Sequence, residues 1–183
     1  RMERTLATVA RLDRHDDSGM FYNWYDPQTL DVLRVWPEDG NTVYPFLSSV
    51  DNGWLAAALR IVAAAEPRLR QEADALYETM DFGFYYDAAA KADVGLIRGG
   101  FWDEPPPGCS ILGNYRDRGP DVYYTCHHYG AFNSEPRGAR ILPGSPTSDS
   151  TLDSSASTVV ITSPAHGGLP ASGPCTSATM SSR

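Results

Sequence analysis

All twenty aromatic residues of the chain lie between Phe21 and Phe132, and this clustering constrains the fold more than any other feature of the sequence. They alternate with Asp, Asn and Gly in the segments 21–26, 51–54 and 123–129. A plain hydrophobic core favours aliphatic residues, because Tyr and Trp need a partner for their polar ends. Flat rings beside carboxylates and amides are typical of a cleft that binds sugars through apolar faces and hydroxyls. We therefore expect such a cleft in this part of the chain.

Length and charge narrow the class of protein. With 183 residues the chain forms one domain or part of one. The net charge of −8 argues against nucleic acid as a partner. No run of 18 apolar residues is present, so we expect no membrane-spanning helix. The chain begins with Arg1 and enters a helical pattern at once, so we expect it to start inside a longer parent protein. As a separate expectation, this full-length parent is secreted or periplasmic.

The three cysteines are Cys109, Cys126 and Cys175, and none belongs to a CxxC motif. A zinc site is therefore not expected, and the sequence indicates no metal and no cofactor. Two interpretations of the thiols are open. Cys109 and Cys126 would form one disulfide in an exported protein and leave Cys175 over, or all three would be free thiols.

Apolar spacing predicts the first helices. Met2, Leu6, Val9 and Leu12 share one face of a helix over residues 2–14. The same spacing predicts an antiparallel helical hairpin of residues 53–66 and 67–80. Its candidate N-terminal caps are Ser48, Ser49 and Asp51.

The segments between and after these helices are expected to be less regular. Residues 20–50 lack a sustained period and contain three prolines, which predicts a long functional loop. Residues 82–86 and 95–102 are short extended segments that would make a small β-hairpin. We expect a loop over residues 103–121 and the start of a further helix over residues 122–137.

The composition changes near residue 139. Of the last 45 residues, 31 are Ser, Thr, Pro, Gly or Ala, which is too little apolar surface to offset the entropy of ordering. The segment is either a genuine linker or the product of a shifted reading frame. We favour the shifted frame, because the change is abrupt and interrupts the expected helix. The sequence thus predicts a domain over residues 1–137 and a disordered tail over residues 138–183.

Three carboxylates are candidates for catalysis, because glycoside hydrolysis needs two of them, one acid and one base or nucleophile. They are Asp51, Glu104 and Glu135, each close to aromatic residues or amides. Each also has a structural interpretation. Asp51 would cap a helix, Glu104 would belong to a solvated turn, and Glu135 would pair with an arginine.

Several aromatic side chains are candidates for stacking on sugar rings: Trp24, Tyr25, Trp54, Trp102 and Tyr124. His127 is a candidate for the lining of the same cleft. A metal pair formed by His127 and His128 is not favoured, because adjacent side chains diverge on a helix or strand.

Four segments resemble the bacterial glucoamylase-like domain family: residues 21–27, 48–56, 80–86 and 127–133. The resemblance spans roughly residues 1–137 and implies an (α/α)6 toroid, in which paired helices ring a central sugar cleft. Such a toroid has twelve helices, whereas the sequence predicts about four. We therefore expect a mainly α fold that is a partial toroid, with helical hairpins, long aromatic-rich loops and one small β-hairpin.

The resemblance implies a carbohydrate-active protein that hydrolyses the glycosidic bonds of a glucan with paired carboxylates and is incomplete in this chain. Two alternatives stay open. The chain is either a non-catalytic carbohydrate-binding or interaction module, or an inactive truncated product. The sequence does not decide the oligomeric state.

Overall fold

A computed structural model of the chain describes residues 1–90, 95–115 and 118–129. The helices are α1 (Met2–Val9), α2 (Ser49–Ala65) and α3 (Arg70–Glu78). Short 3-10 turns cover Pro67–Leu69 and Phe82–Tyr85. The strands are β1 (Phe46–Ser48), β2 (Tyr86–Asp87), β3 (Leu96–Arg98), β4 (Gly100–Trp102), β5 (Ser110–Tyr115), β6 (Arg118–Thr125) and β7 (His128–Tyr129).

The strands form two antiparallel sheets in the described part of the chain. The larger sheet has the order β1-β4-β6-β5, and the smaller one has the order β2-β3-β7. Strand β6 pairs with both β4 and β5, so it lies inside the larger sheet. Its residues Val122 and Tyr124 are buried, because the alternating side chains of an inner strand reach the core.

Helices α2 and α3 pack against each other and cover part of this core. The hydroxyl oxygen of Ser48 accepts a hydrogen bond from the Asp51 backbone N–H at 3.2 Å and so caps α2. Pro67 stands in the first turn after α2, where its missing N–H costs nothing. The buried faces of the pair present Leu59, Ala73 and Leu76 to the core.

Residues 14–42 form three successive hairpin turns with one geometry. Isolated antiparallel bridges close them at Arg14 with Phe21, Tyr25 with Val32, and Val35 with Thr42. In each turn the fifth residue donates its N–H to the carbonyl of the first residue at 2.8 Å. That fifth residue has a positive φ every time: Gly19 (66°), Leu30 (69°) and Gly40 (73°). The three turns are thus an internal repeat, and Leu30 occupies a position that favours glycine.

Aromatic rings and one histidine fill the centre of the core. Tyr85 and Phe101 are almost fully buried, and their ring centroids lie 5.7 Å apart. The buried His15 ring packs edge-on against Phe84 and Phe101. Its Nδ1 accepts a hydrogen bond from the Ser18 backbone N–H at 3.2 Å. Burial lowers the pKa of His15, although nearby carboxylates including Asp17 and Asp103 oppose this effect.

The expectation of a mainly α partial toroid is wrong. The described residues hold three short helices and seven strands in two antiparallel sheets, which is a small α+β fold. The expected loop over residues 103–121 contains β5 and the start of β6, and the expected helix from residue 122 begins with β6 and β7. In β6 the less buried Asp121 and Tyr123 alternate with the buried Val122 and Tyr124, whereas β5 exposes both Ile111 and Leu112 and so lacks the alternation that marks a strand.

Other expectations about secondary structure are confirmed fully or in part. The helical hairpin is confirmed, with α2 beginning four residues earlier than expected. The first helix ends at Val9 rather than at residue 14. Residues 96–98 pair with Tyr86–Asp87 as a small antiparallel unit, but residues 82–85 form a 3-10 turn. The proposed boundary at residues 137 and 138 lies outside the described residues.

The repeat predicts unequal effects of one substitution at equivalent glycines. Gly40→Ala should cost about 1 kcal/mol of unfolding free energy, because only the left-handed backbone resists and no atom lies within 4 Å of the added methyl group. Gly19→Ala should cost distinctly more, because its methyl group would also overlap the Thr79 carbonyl. Urea unfolding of both variants measures the difference. Equal losses would contradict the described packing of the first turn on α3.

Candidate functional site

An open aromatic groove is the most distinctive cavity of the described residues. Its volume is about 430 Å³. Five aromatic side chains line it together with small aliphatic, hydroxyl and proline groups: Trp24, Trp36, Thr42, Val43, Tyr44, Phe46, Trp102, Pro106 and Pro107. We call this cavity the aromatic groove. Large rings that face solvent are unusual, because burying one is favourable by about 1.5–3 kcal/mol.

The pairing of strands β1 and β4 positions the residues that form the floor of the aromatic groove. Strands β1 and β4 pair antiparallel and place Phe46 opposite Trp102. The two ring centroids lie 4.7 Å apart, as expected for a cross-strand aromatic pair. Phe46 also fixes the hairpin repeat to the sheet, because its carbonyl accepts a hydrogen bond from the Asn23 backbone N–H at 2.8 Å.

The hairpin repeat supplies one wall. Trp24 stands just before the second turn, and Trp36 is the first residue of the third turn. Their rings meet edge to face with centroids 6.2 Å apart. Trp24 is 41% exposed and Trp36 is 36% exposed, so both keep an accessible face. The repeated turn therefore determines where both indoles lie.

The segment 103–109 supplies the other wall through Pro106 and Pro107. A disulfide between Cys109 and Cys126 ties the end of this segment to β6, with a Cα separation of 5.9 Å. The bridge follows directly from the register, since Ser110 pairs with Thr125 and the cysteines are the next opposed residues. The disulfide interpretation of these two cysteines is thereby confirmed in the described structure, and Cys175 lies outside the described residues.

Two of the proposed catalytic carboxylates have structural partners, and the third lies outside the described residues. Asp51 is exposed in the first turn of α2 and accepts a hydrogen bond from Asn23 Nδ2 at 3.1 Å. Glu104 forms an ion pair with Arg34 at 2.9 Å. Glu135 belongs to the part that is not described. Neither Asp51 nor Glu104 lines the aromatic groove, and among the described residues its lining contains no carboxylate.

The proposed stacking residues divide between the aromatic groove and other places. Trp24 and Trp102 line it. Tyr25 donates its hydroxyl to the Asp13 carbonyl at 2.6 Å, and burial raises the pKa of Tyr25 to about 12. Trp54 is 57% exposed on α2, outside the groove. Tyr124 is buried in the core beneath Arg98, at 4.7 Å from the guanidinium carbon to the ring centroid.

His127 lies apart from the aromatic groove and is exposed, with its ring against Tyr129. Its neighbour His128 approaches Asp87 at 2.9 Å, and Arg98 also pairs with this carboxylate. Partial burial works to raise the pKa of Asp87, but the hydrogen bond from His128 and the charge of Arg98 bring that pKa below its usual value. The two histidines thus diverge, as expected, and His128 holds the smaller sheet together.

Sequence reasoning missed most of the groove. Trp36, Tyr44, Phe46 and the two prolines were not singled out, although Trp36-Pro37 repeats Asp26-Pro27 at a spacing of ten residues. This repeat is the sequence feature from which the position of Trp36 in a turn could have been predicted. Phe46 and the prolines needed the β1–β4 register and the disulfide, which no local pattern shows.

A second cavity, with a volume of about 470 Å³, lies beside the hairpins and is polar. Its lining mixes acidic and basic groups: Asp13, Arg14, Asp16, Tyr22, Asp31, Val32 and Arg34. Tyr22 donates its hydroxyl to Asp103 at 2.7 Å, and burial raises the pKa of Tyr22, an effect that the Asp103 hydrogen bond strengthens. This arrangement fits a tyrosine that stays protonated and anchors the base of the hairpins.

Among the described residues, no group of three or more His, Cys, Asp or Glu side chains is arranged to hold a metal ion. None of the helices in the same part of the chain has the length and apolar character of a membrane span.

The chain matches no known protein-family model, and no curated protein or solved structure shows significant similarity to it. The resemblance to glucoamylase-like domains stays a prediction. The toroid that it implied is corrected by the α+β fold, and no observation supports glycoside hydrolysis.

The disulfide generates a prediction about stability. Replacing Cys109 and Cys126 together by Ser should lower the unfolding free energy by about 2–4 kcal/mol, because the bridge, between residues 17 apart in sequence, restrains the unfolded chain. Urea unfolding measures the loss, and Cys175→Ser is the control that removes a thiol but keeps this bridge. Thiol titration of the denatured, unreduced protein should find one thiol per chain. Three thiols would contradict the pairing.

Proposed function

We propose that this chain binds carbohydrate, as a glucan oligosaccharide or polysaccharide, in the aromatic groove. The observation that carries the proposal is the exposed pair Trp24 and Trp36 facing a groove of about 430 Å³ whose floor is Phe46 and Trp102. Pyranose rings present flat C–H faces, and such faces pack favourably on indole rings. The hydroxyls of Thr42 and Tyr44 supply hydrogen-bonding groups beside the rings.

The proposal is binding, without hydrolysis. A glycosidase needs two carboxylates across the bound sugar, at about 5–10 Å from each other. Within the described part of the chain the lining of the aromatic groove contains no carboxylate, and Glu104 forms an ion pair with Arg34 outside that lining. Aromatic surface without carboxylates fits a module that holds a sugar chain and leaves its bonds intact.

Location outside the cytoplasm belongs to the same proposal. A disulfide that closes β5 onto β6 persists in oxidising compartments, such as the periplasm or the extracellular space. Polysaccharides are abundant in those compartments. The disulfide and the proposed polysaccharide ligand therefore both support a location in the periplasm or the extracellular space.

Calorimetric titration with linear glucan oligosaccharides tests the proposal. Trp36→Ala should weaken binding about tenfold or more, because it removes one stacking surface and leaves Trp24 unsupported. Trp54→Ala is the control, because it removes an even more exposed indole outside the groove and should leave the affinity unchanged.

Two outcomes would contradict carbohydrate binding in the groove. One is the absence of heat and of tryptophan fluorescence change with any glucan oligosaccharide at millimolar concentration. The other is an equal loss of affinity in the Trp36 and Trp54 variants. Circular dichroism of each variant shows whether the fold is retained.

A further inference from the structure

Helix α2 presents an apolar stripe to solvent. The stripe consists of Trp54, Ala58, Ile61 and Ala65, which follow one another at steps of four, three and four residues. Trp54 is 57% exposed and Ile61 is 67% exposed, and both alanines are exposed. The opposite face of α2 is buried through Ala56, Leu59 and Ala63. One helix thus carries two apolar faces, of which only one is used by the core.

We propose that this stripe, the α2 stripe, docks against the α2 stripe of a second copy of the chain, with the two helices antiparallel. A helix stripe at these steps is the pattern by which paired helices pack. A two-fold axis through the middle of α2 brings the same patch of both copies together. The midpoint of the stripe lies between Ala58 and Ile61.

Residue sizes along the α2 stripe match this arrangement. With the axis at the midpoint, Trp54 faces Ala65 of the second copy, and Ile61 faces its Ala58. Each large side chain therefore meets a small one, which lets the helices approach without voids or overlap. Ala57 and Ala64 flank the stripe and leave further room for the indole.

Charges at the two ends of the α2 stripe are complementary as well. Asp51 is exposed one turn before Trp54. Arg68 follows the helix, where its guanidinium pairs with Glu66 at 3.0 Å while its side chain stays 83% exposed to a second carboxylate. The antiparallel arrangement brings Asp51 of each copy towards Arg68 of the other. A parallel arrangement would instead place like charges together, at a cost in free energy.

The expected dimer is weak and reversible. A single pair of helices of this length buries less area than the roughly 1,200–2,000 Å² of stable interfaces. The net charge of −8 on each copy adds a general repulsion. Association should therefore be visible at high protein concentration and low at micromolar concentration.

Sedimentation velocity of the full chain, from micromolar to millimolar concentration, tests the proposal. The native chain should shift from monomer to dimer, and Ile61→Glu should remain monomeric. Leu112→Glu is the matched control, because Leu112 is 58% exposed on the edge strand β5 and should leave the dimer intact. A native chain that is monomeric throughout would overturn the proposal, as would a dimer that Leu112→Glu abolishes and Ile61→Glu does not.

Exchanging a large and a small side chain within the α2 stripe tests the antiparallel register. Trp54→Ala and Ala65→Trp should each weaken the dimer, the first by leaving a gap and the second by opposing two indoles. The double variant restores one large and one small residue at each contact, so it should recover the association. Failure of the double variant, with folding confirmed by circular dichroism, would overturn the antiparallel arrangement. These measurements use no sugar, so they stand apart from the proposed carbohydrate binding.

Discussion

A buried amide side chain joins the main parts of the described structure. Asn52 is 2% exposed, and its Oδ1 accepts a hydrogen bond from the Phe21 backbone N–H at 2.8 Å. Its Nδ2 donates to the carbonyls of Phe21 and Ser48, both at 2.9 Å. One side chain therefore connects the first hairpin, the end of β1 and the start of α2. Buried polar groups that are fully paired specify one arrangement, because every alternative leaves a group unpaired.

The neighbours of Asn52 extend this junction towards the aromatic groove. Asn23 accepts from the Ser48 N–H and donates its own backbone N–H to Phe46, so the hairpins are attached to the strand that forms the floor. Ser49 donates its hydroxyl to the Gly99 carbonyl at 3.1 Å, which fixes the turn before β4 and hence Trp102. The positions of Trp24, Phe46 and Trp102 thus depend on the same junction. Three of the five aromatic side chains in the groove therefore depend on this network as well as on contacts between the rings.

Features that depend on neighbouring residues, such as helices and their caps, were predicted from the sequence. Features that depend on pairing between distant strands were not. The α2–α3 hairpin followed from apolar spacing and from the Ser48 cap, because both signals lie within a few residues. Of the candidate caps, Ser48 is the one that caps α2, and Asp51 accepts a hydrogen bond from Asn23. A catalytic role of Asp51 stays a prediction. The larger sheet was missed because β1, β4 and β6 are brought together across wide separations in sequence. Trp24 and Trp102, two of the predicted sugar-stacking residues, line the aromatic groove, and their stacking role stays a prediction. Trp54 is exposed on α2 and Tyr124 is buried in the core, positions that only the packing of the chain shows.

The role of Asn52 in joining the first hairpin, β1 and α2 is tested most directly by the unfolding free energy of Asn52→Asp at neutral pH, measured by urea denaturation. The substitution keeps the shape but replaces the donor by a carboxylate oxygen that faces the carbonyls of Phe21 and Ser48. We expect a loss of at least about 3 kcal/mol, since two buried carbonyls lose their donor and a charge is buried without a partner. Gln71→Glu, the same chemical change at an exposed position on α3, should be nearly neutral. A loss below about 1 kcal/mol in Asn52→Asp, comparable with that control, would contradict the central role of this junction.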